Sequence, residues 1–319
     1  MSNKDISICI AHRGPVLGLW STINSLEFEL QEAKLDFEFS IVSNGEKPTP
    51  DLKQTLGELK RTTDYLSYHE HSDEPLTPQE ARTRAFKNST GKYVFFADNH
   101  ILVCPGFFKR LMHDWEAVPD ADMLHSATQY YPKDLVLYGY KLQLKKDFWG
   151  SAESVPYYPH KPFPIAAGGH GGVSVKRDSF EKYGGYHLSS AFEGYAGEEL
   201  TSDLSIWLQG GKVYMSPLSI HRHWAAATRG YSRHHSSDFY KNLFSCAYIL
   251  ADTTADDYVY PMAEHFKKCA KPYQSKSMFD LRMEAKERSK PFTEWLRGRR
   301  QRTLEEQLHW FLTNEVSYR

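Results

Sequence analysis

The sequence has few cysteines, no long hydrophobic run and almost no net charge. Its four cysteines are widely scattered and form no CxxC pair; they are Cys9, Cys104, Cys246 and Cys269. Neither a zinc knuckle nor a disulfide framework is therefore predicted. No stretch approaches the roughly 20 apolar residues of a membrane span, and the first residues lack the apolar core of a signal peptide. We expect a cytoplasmic protein without a membrane span.

The charge is balanced, with 39 basic and 40 acidic side chains and a formal net charge of −1. Such a protein has no general attraction for nucleic acid or anionic lipid, so any site for a polyanion must be local. The length of 319 residues is compatible with one large domain and an appendage, or with two small domains. The patterns below favour an α/β domain over residues 1–235 and a helical C-terminal appendage over residues 236–319.

Strand and helix patterns alternate through the first hundred residues. The predicted strands are Ile6 to Ala11, Phe37 to Val42, Tyr65 to Tyr68 and Tyr93 to Ala97, and the predicted helices cover residues 17–26, 52–59 and 78–89. The third helix has Thr77 as its N-cap, followed by Pro78 and, three residues after the cap, Glu80. This alternation predicts a mostly parallel sheet flanked by helices, with ligands beyond the carboxyl ends of the strands.

The middle of the chain is less regular. Residues 117–165 are rich in Tyr, Lys and Pro, and we interpret them as a hairpin and a substrate-side loop. Beyond about residue 235 helical patterns dominate, which is why an appendage is expected there.

Asp98 and His100 follow the fourth predicted strand, in the sequence DNHIL. At positions i and i+2 of an extended segment their side chains point to the same side, so together they can bind one divalent cation. The alternative is an Asx turn that closes the strand and leaves His100 exposed. The local sequence does not decide between the two.

A second group of polar residues follows at some distance. The run GGHGG, residues 168–172, precedes a strand; it suits close approach of the backbone to a bulky ligand, and a flexible loop is the alternative. Glu198 and Glu199 begin a helix, where they either complement the helix dipole or take sugar hydroxyls or a proton. His221 and His223 lie in SIHRHW, at the end of the next strand.

The order of these parts resembles the GT-A fold of nucleotide-sugar glycosyltransferases. The metal element of polypeptide N-acetylgalactosaminyltransferases reads Asp-x-His, then a short run and a Gly-aromatic helix start, and DNHILVCPGFF is similar. Their second element is matched by GGVSVKRDSF and YAGEELTSDLSIWLQGG. β-1,4-Galactosyltransferases are also similar. The likeness covers about residues 5–225.

The resemblance implies a metal site and a reaction. It implies that Asp98 and His100 bind a Mn²⁺ or Mg²⁺ ion, with a third ligand from His221 or, less favoured, His223. The ion would hold the diphosphate of a nucleotide sugar and neutralise the charge that builds on the departing group. The implied donor is a nucleotide sugar, with a UDP-sugar favoured, and the sugar is transferred to an acceptor hydroxyl.

The resemblance also implies roles for other residues. Glu198 matches a family glutamate that contacts the sugar donor or acceptor. Glu199 lies where inverting members carry an aspartate that deprotonates the acceptor, so inversion is expected. The implied donor-binding residues are Arg13, Asn44, Arg82, Arg84, Gly171 and Gly172. Asn44 stands where the family usually has acidic residues that help to hold the nucleoside.

Two further segments bear on the function. Residues 221–235 hold three Arg and four His beside Trp224 and Tyr231; they correspond to a mobile lid that excludes water, or form a surface loop. Residues 281–302 hold eight Arg or Lys and three Glu. This run is either a solvated face or a surface that follows a phosphate backbone.

The acceptor therefore stays open between a saccharide or glycan and a hydroxymethylated base in DNA. A non-catalytic nucleic-acid-binding or scaffold protein on a degenerate GT-A fold is the alternative. It is disfavoured because a binding module does not need Asp98, His100, Glu198, Glu199 and His221 together. A metal-dependent hydrolase is expected least, because the chain has no HExxH helix.

Overall fold

The computed structural model shows a mixed α/β architecture. It describes residues 4–14, 16–44, 50–62, 64–70, 76–131, 135–142, 144, 150–152, 160–193, 196–224, 237–269 and 276–314. The strands are β1 (Ile6–His12), β2 (Phe37–Ser43), β3 (Leu66–His69), β4 (Tyr93–Asp98), β5 (Ile101–Val103), β6 (Met123–Tyr131), β7 (Val136–Leu137), β8 (Tyr140–Leu142), β9 (Gly150–Ala152), β10 (Phe163–Pro164), β11 (Gly172–Lys176) and β12 (Val213–Trp224). The helices are α1 (Val16–Glu32), α2 (Pro50–Thr62), α3 (Pro78–Lys87), α4 (Phe107–Ala117), α5 (Arg177–Lys182), α6 (Glu198–Leu208), α7 (Ser237–Ala251), α8 (Asp256–Cys269), α9 (Met278–Arg297) and α10 (Leu304–Thr313).

One sheet organises the molecule, with the strand order β10-β12-β6-β11-β4-β1-β2-β3. Strands β3, β2, β1 and β4 are parallel, and so are β6 and β12. Strand β11 runs antiparallel to both β4 and β6 and joins the two parallel groups. The predicted α/β class, with a mostly parallel sheet flanked by helices, is confirmed. The antiparallel direction of β11 is not readable from the alternation of strands and helices.

The sheet is buried on both faces, as a parallel sheet usually is. Phe95 belongs to the hydrophobic cluster that includes residues of α1, α2 and α4 on one face, whereas its neighbour Phe96 belongs to the cluster that includes residues of α3, α5 and α6 on the other. Both side chains are fully buried because successive residues of a strand point to opposite faces. Packing on both faces therefore holds in place the strands whose carboxyl ends carry the polar residues.

The start of α3 is held by the capping box that the sequence predicts. The Thr77 hydroxyl accepts a hydrogen bond from the Glu80 amide at 3.2 Å, and the Glu80 carboxylate accepts one from the Thr77 amide at 2.9 Å. Substituting such an N-cap by Ala typically costs about 1 kcal/mol of stability. This cap directs α3 so that its buried face covers β1 and β2.

The irregular segment is more ordered than its composition suggests. The predicted hairpin is present as the antiparallel pair β6 and β7, but β6 is also a central strand of the sheet, which the pattern does not predict. Much of the expected substrate-side loop, including residues 145–149 and 153–159, lies outside the described residues.

The helices after residue 236 share one hydrophobic core with α6. Trp207 of α6 lies against Trp310 and Phe311 of α10, with ring centroids 5.2 and 5.3 Å apart. On α7, the thiol of Cys246 lies 3.3 Å from the carbonyl oxygen of Gly197, at the start of α6. The helical nature of this part is confirmed, and a domain boundary near residue 235 stays a prediction. Among the helices that the structure describes, none has both the length and the apolar composition for crossing a bilayer.

Candidate active site

Asp98 ends β4 and lies beside two histidines from distant parts of the chain. Nε2 of His223 is 3.0 Å and Nε2 of His100 is 3.6 Å from Oδ2 of Asp98. One donor atom from each of the three side chains lies within 4.8 Å of the others. The antiparallel pairing of β5 with β12 places His223 opposite Ile101, and therefore next to His100. This sheet register builds a cluster that can hold a metal ion.

Asn99 turns the His100 ring toward Asp98. The Asn99 amide group donates from Nδ2 to the Arg13 carbonyl at 2.9 Å, so Oδ1 faces Nδ1 of His100 at 3.0 Å. An amide oxygen only accepts, which puts the ring proton on Nδ1 and leaves the Nε2 lone pair for a ligand. The His100 side chain is only 12% exposed. The same-side placement of Asp98 and His100 is confirmed, and an exposed His100 is not what the structure shows.

Arg82 forms an ion pair with the other carboxylate oxygen of Asp98. Its guanidinium donates to Oδ1 at 2.6 Å and is almost completely buried. Burial alone would raise the pKa of Asp98, but the hydrogen bond with His223 and the positive charge of Arg82 hold that pKa well below its usual range. Asp98 is therefore an ionised carboxylate with one oxygen for Arg82 and one for the histidines.

His221 lies on the same face of β12 as His223 but contacts other groups. Its Nδ1 is 2.8 Å from the Ser126 hydroxyl and its Nε2 is 3.3 Å from the Thr128 hydroxyl. Burial lowers the pKa of His221 to about 3, so its ring is neutral. The structure thus brings His223, and not the favoured His221, to Asp98, because the β5 register selects residue 223.

The glycine run packs tightly between these side chains. A Cβ atom on Gly171 would lie 3.1 Å from Cδ2 of His223 and 3.4 Å from Oδ2 of Asp98. A Cβ atom on Gly172 would lie 2.6 Å from the Ser126 hydroxyl and 2.8 Å from Nδ1 of His221. Gly171 therefore borders the candidate metal cluster, whereas Gly172 lies against His221.

Glu198 and Glu199 begin α6 after two residues with positive φ, Ala196 (107°) and Gly197 (85°). Oε1 of Glu199 accepts a hydrogen bond from the His170 amide at 3.1 Å, and Oε2 accepts one from the Tyr140 hydroxyl at 3.4 Å. Glu198 is buried, and within the described part of the chain its Oε2 has no hydrogen-bond partner. Burial and then the charge of Glu199 raise the pKa of Glu198 to about 7.

The glycine run joins the carboxylates to the histidine cluster. His170 holds Glu199 through its amide, and the carbonyl of the next residue, Gly171, accepts the Asp98 amide at 3.0 Å. The two groups that the sequence analysis considers separately therefore meet on adjacent residues of one loop.

The remaining predicted donor-binding residues are placed differently. Asn44 is buried where β2 ends, and its Oδ1 has no hydrogen-bond partner among the described residues, whereas Arg13 is exposed at the end of β1. Arg84 lines a cavity of about 480 Å³ between α3 and α5. The described lining of that cavity includes none of the three cluster residues. Residues 225–235 of the predicted lid lie outside the described residues.

A second cluster, formed by His125, His170 and Asp203, is not among the residues predicted from the sequence. Asp203 lies one helical turn after Glu199, and His170 interrupts the glycine run. These two positions are the features of the sequence that could have pointed to the second cluster. His125 carries no comparable signal because β6 is not predicted as a strand.

Comparison with known proteins bears on the fold. No protein-family model matches the sequence, and no curated protein sequence matches it. Among solved structures the chain is similar to GalNAc-T7 with UDP, GalNAc and Mn²⁺, with a TM-score of 0.67 and 15% identity. The match covers 99% of this chain and 58% of that one, so the chain spans little more than half the length of its neighbour. The resemblance seen in the sequence is confirmed at the level of the fold: the protein has the GT-A glycosyltransferase fold.

Proposed function

We propose that the protein is a metal-dependent glycosyltransferase that moves a sugar from a nucleotide diphosphate-sugar to an acceptor hydroxyl. The observation that carries this proposal is the convergence of Asp98, His100 and His223 beside the loop that holds Glu199. The site lies at the carboxyl edge of the parallel strands, where α/β sheets bind their ligands. Similarity to a structure with UDP, GalNAc and Mn²⁺ supports a UDP-sugar as donor.

The histidine cluster fits a divalent transition-metal ion. Two imidazole nitrogens and one carboxylate oxygen suit Mn²⁺ better than Mg²⁺, which prefers oxygen ligands alone. The outer hydrogen bond from His100 to Asn99 is the support that metal-binding histidines usually have. We propose Mn²⁺ as the ion that Asp98, His100 and His223 hold. When bound, it would neutralise negative charge on the departing diphosphate.

Glu199 is the proposed proton acceptor. The acceptor hydroxyl gives its proton to Glu199 while its oxygen bonds to the anomeric carbon of the sugar. The bond from that carbon to the diphosphate breaks, and its electron pair leaves with the diphosphate. Attack from the side opposite the diphosphate inverts the anomeric carbon, so we propose an inverting reaction.

Glu198 suits a different role from Glu199. With a pKa raised to about 7, Glu198 is protonated for part of the time at neutral pH. A buried protonated carboxyl can donate a hydrogen bond to a sugar hydroxyl, as two neighbouring acids with separated pKa values often divide their work. We propose that Glu198 contacts the sugar and that Arg82, whose Nε has no hydrogen-bond partner among the described residues, adds a donor for the ligand.

We propose a saccharide as the acceptor rather than hydroxymethylated DNA. The basic residues of 281–302 are engaged within the protein. Acidic partners hold four of them, namely Arg288, Lys290, Arg297 and Arg300. Aromatic rings lie under the other four, namely Arg282, Lys286, Arg299 and Arg302. The run that suggests a DNA surface therefore has structural partners.

Calorimetry with UDP tests the proposal. Wild-type protein should bind UDP in the presence of Mn²⁺ and much more weakly in EDTA, and Asp98→Ala should lose the Mn²⁺-dependent part. UDP release from UDP-N-acetylgalactosamine is then measured with saccharides and with hydroxymethylated duplex DNA. Equal UDP affinity with and without Mn²⁺ would remove the metal from the proposal. Stimulation by the DNA alone would reverse the choice of acceptor.

A further inference from the structure

A second buried cluster lies beside the proposed proton acceptor. Oδ1 of Asp203 is 2.8 Å from Nε2 of His170, and Oδ2 is 3.0 Å from Nε2 of His125. These three side chains are at most 1% exposed. Burying a charged group without a partner is costly, so the cluster must be internally neutralised.

His125 carries a proton on each ring nitrogen, and its positive charge neutralises the negative charge of Asp203. Its Nδ1 is 3.2 Å from the Gly169 carbonyl oxygen, which only accepts, so Nδ1 carries a proton. Its Nε2 faces an Asp203 oxygen that already accepts the Gly168 amide at 2.8 Å, so Nε2 carries a proton as well. Burial opposes both charges, yet Asp203 raises the pKa of His125, and the two histidines lower the pKa of Asp203. The pair is an imidazolium and a carboxylate.

His170 completes the cluster through both of its ring nitrogens. Its Nε2 donates to Asp203 at 2.8 Å, and its Nδ1 accepts from the Tyr186 hydroxyl at 3.3 Å. Nε2 of His170 forms a direct hydrogen bond with Oδ1 of Asp203, and Nε2 of His125 lies within ion-pair distance of Oδ2. The three side chains are enclosed, whereas Asp98 of the other cluster is 24% exposed and therefore open to an ion. Protons therefore account for this cluster better than a metal ion does.

The cluster fastens the glycine run to α6. Asp203 lies four residues after Glu199, so both side chains are on the same face of the helix. Asp203 holds the amide of Gly168 and the ring of His170, and Glu199 accepts the amide of His170. One residue, His170, is thus tied to Asp203 by its ring and to Glu199 by its backbone.

We infer that Asp203 is a positioning residue that acts on Glu199 through His170. This inference rests on the proposed function, in which Glu199 accepts the proton of the acceptor. The ring of His170, fixed by Asp203, sets the direction of the His170 amide, and that amide fixes one oxygen of Glu199. A proton acceptor that is misplaced by a fraction of an ångström loses much of its effect on rate.

Nitrogen NMR of ¹⁵N-histidine-labelled protein tests the link without any activity. Wild-type protein at neutral pH should show one buried imidazolium, assigned by its absence in His125→Gln. Asp203→Asn should abolish it. The His170 amide proton should shift in Glu199→Gln and in Asp203→Asn. A neutral His125 in the wild type, or an unmoved His170 amide in Asp203→Asn, would overturn the inference.

Kinetics test the consequence, with UDP release from UDP-N-acetylgalactosamine and water as the acceptor. Asp203→Asn should lower kcat roughly 10- to 100-fold while KM and the Mn²⁺-dependent UDP affinity stay within about twofold. In a Glu199→Gln background, Asp203→Asn should cause no further loss of kcat. Tyr186→Phe removes only the hydroxyl that donates to His170 and should lower kcat less than Asp203→Asn does. It replaces Asp203→Asn as the test variant if Asp203→Asn does not fold.

Asp114→Asn is the matched control, because Asp114 is a buried carboxylate of α4 that bonds the Ser216 hydroxyl at 2.6 Å. It should lower Tm without changing kcat. An Asp203→Asn protein with full kcat, or with UDP affinity lowered as much as kcat, contradicts the positioning role. One bound metal ion per chain that persists in Asp98→Ala but is lost in Asp203→Asn would also contradict the positioning role. If the wild type releases no UDP, the proposed function fails, while the NMR result still decides the link.

Discussion

Nε2 of His223 lies 3.0 Å from Oδ2 of Asp98, although 125 positions separate the two residues in the chain. The contact is made by sheet geometry, since β4 and β12 reach the same edge and β5 folds back onto β12. A short connection in space between such distant residues is typical of a functional site built on a rigid scaffold. The predictions that follow probe this site and the carboxylates next to it.

Replacing each of the two β12 histidines by alanine, one at a time, should show which of them binds the metal ion and which contributes mainly to stability. His223→Ala should weaken Mn²⁺ binding at least about 100-fold, because even outer partners of metal ligands are worth 10- to 100-fold. His221→Ala should keep the Mn²⁺ affinity but lose roughly 1–3 kcal/mol of stability, since it removes the buried ring that contacts the hydroxyls of Ser126 and Thr128. Mn²⁺ calorimetry and urea unfolding measure both. Loss of Mn²⁺ binding in His221→Ala alone would make His221 the ligand.

Glu199→Gln should separate donor binding from transfer. The amide keeps the shape of the side chain but cannot take a proton, so UDP and Mn²⁺ should bind as in the wild type while turnover falls roughly 10²- to 10⁴-fold. UDP release from UDP-N-acetylgalactosamine is the measurement. Glu198→Gln is the control, with a smaller expected loss because Gln can still donate a hydrogen bond. Full turnover in Glu199→Gln would show that another group accepts the proton.

Glu198 should make the protein less stable as the pH rises through the range from about 4.5 to about 7. The folded pKa of about 7 lies above the ordinary value of 4.5, so the folded state holds its proton longer than the unfolded state does. The free energy of unfolding then falls between these two values and is level above them. The size is on the order of 3 kcal/mol.

The measurement compares urea unfolding of the wild type and Glu198→Gln from pH 4 to pH 8. The variant lacks this titrating proton. Its free energy of unfolding, relative to that of the wild type, should therefore rise with pH and then level off. The Glu199→Gln protein serves as a control with the same chemical change one residue away. Parallel curves for the wild type and Glu198→Gln would show that Glu198 is not held in its protonated form.

Alanine in place of each of two adjacent glycines should have different effects. In Gly171→Ala the new methyl group presses on His223 and Asp98, so Mn²⁺ affinity should fall roughly 10-fold with little change in Tm. In Gly172→Ala it meets the Ser126 hydroxyl and His221, so stability should fall by about 1–3 kcal/mol. Calorimetry and thermal unfolding distinguish the two. The same loss of Mn²⁺ affinity in both variants would indicate a general disturbance of the loop.

Local features of the sequence predict local features of the structure well. The strand patterns before residue 98 and the Thr77 capping box depend on neighbouring residues, and the structure contains them. The placement of Asp98 and His100 depends only on a spacing of two residues. The choice of His223 over His221 depends on the register between β5 and β12, which no local pattern specifies.

Arg82 and Arg84 illustrate a signal that was available in the sequence. Two residues apart on a helix, they point in nearly opposite directions. The structure accordingly places Arg82 on Asp98 and Arg84 at the cavity between α3 and α5. For the second cluster the sequence offered a signal only at His170 and Asp203, because the cluster joins β6, a loop and α6 only in the folded sheet.

The thiol of Cys246 rests against the backbone of Gly197, directly behind the residues that begin α6. Helix α7 therefore supports the backbone from which Glu198 and Glu199 begin α6. Substitutions on the buried side of α7 should therefore alter the rate of the proposed transfer reaction, although they contact no reactant.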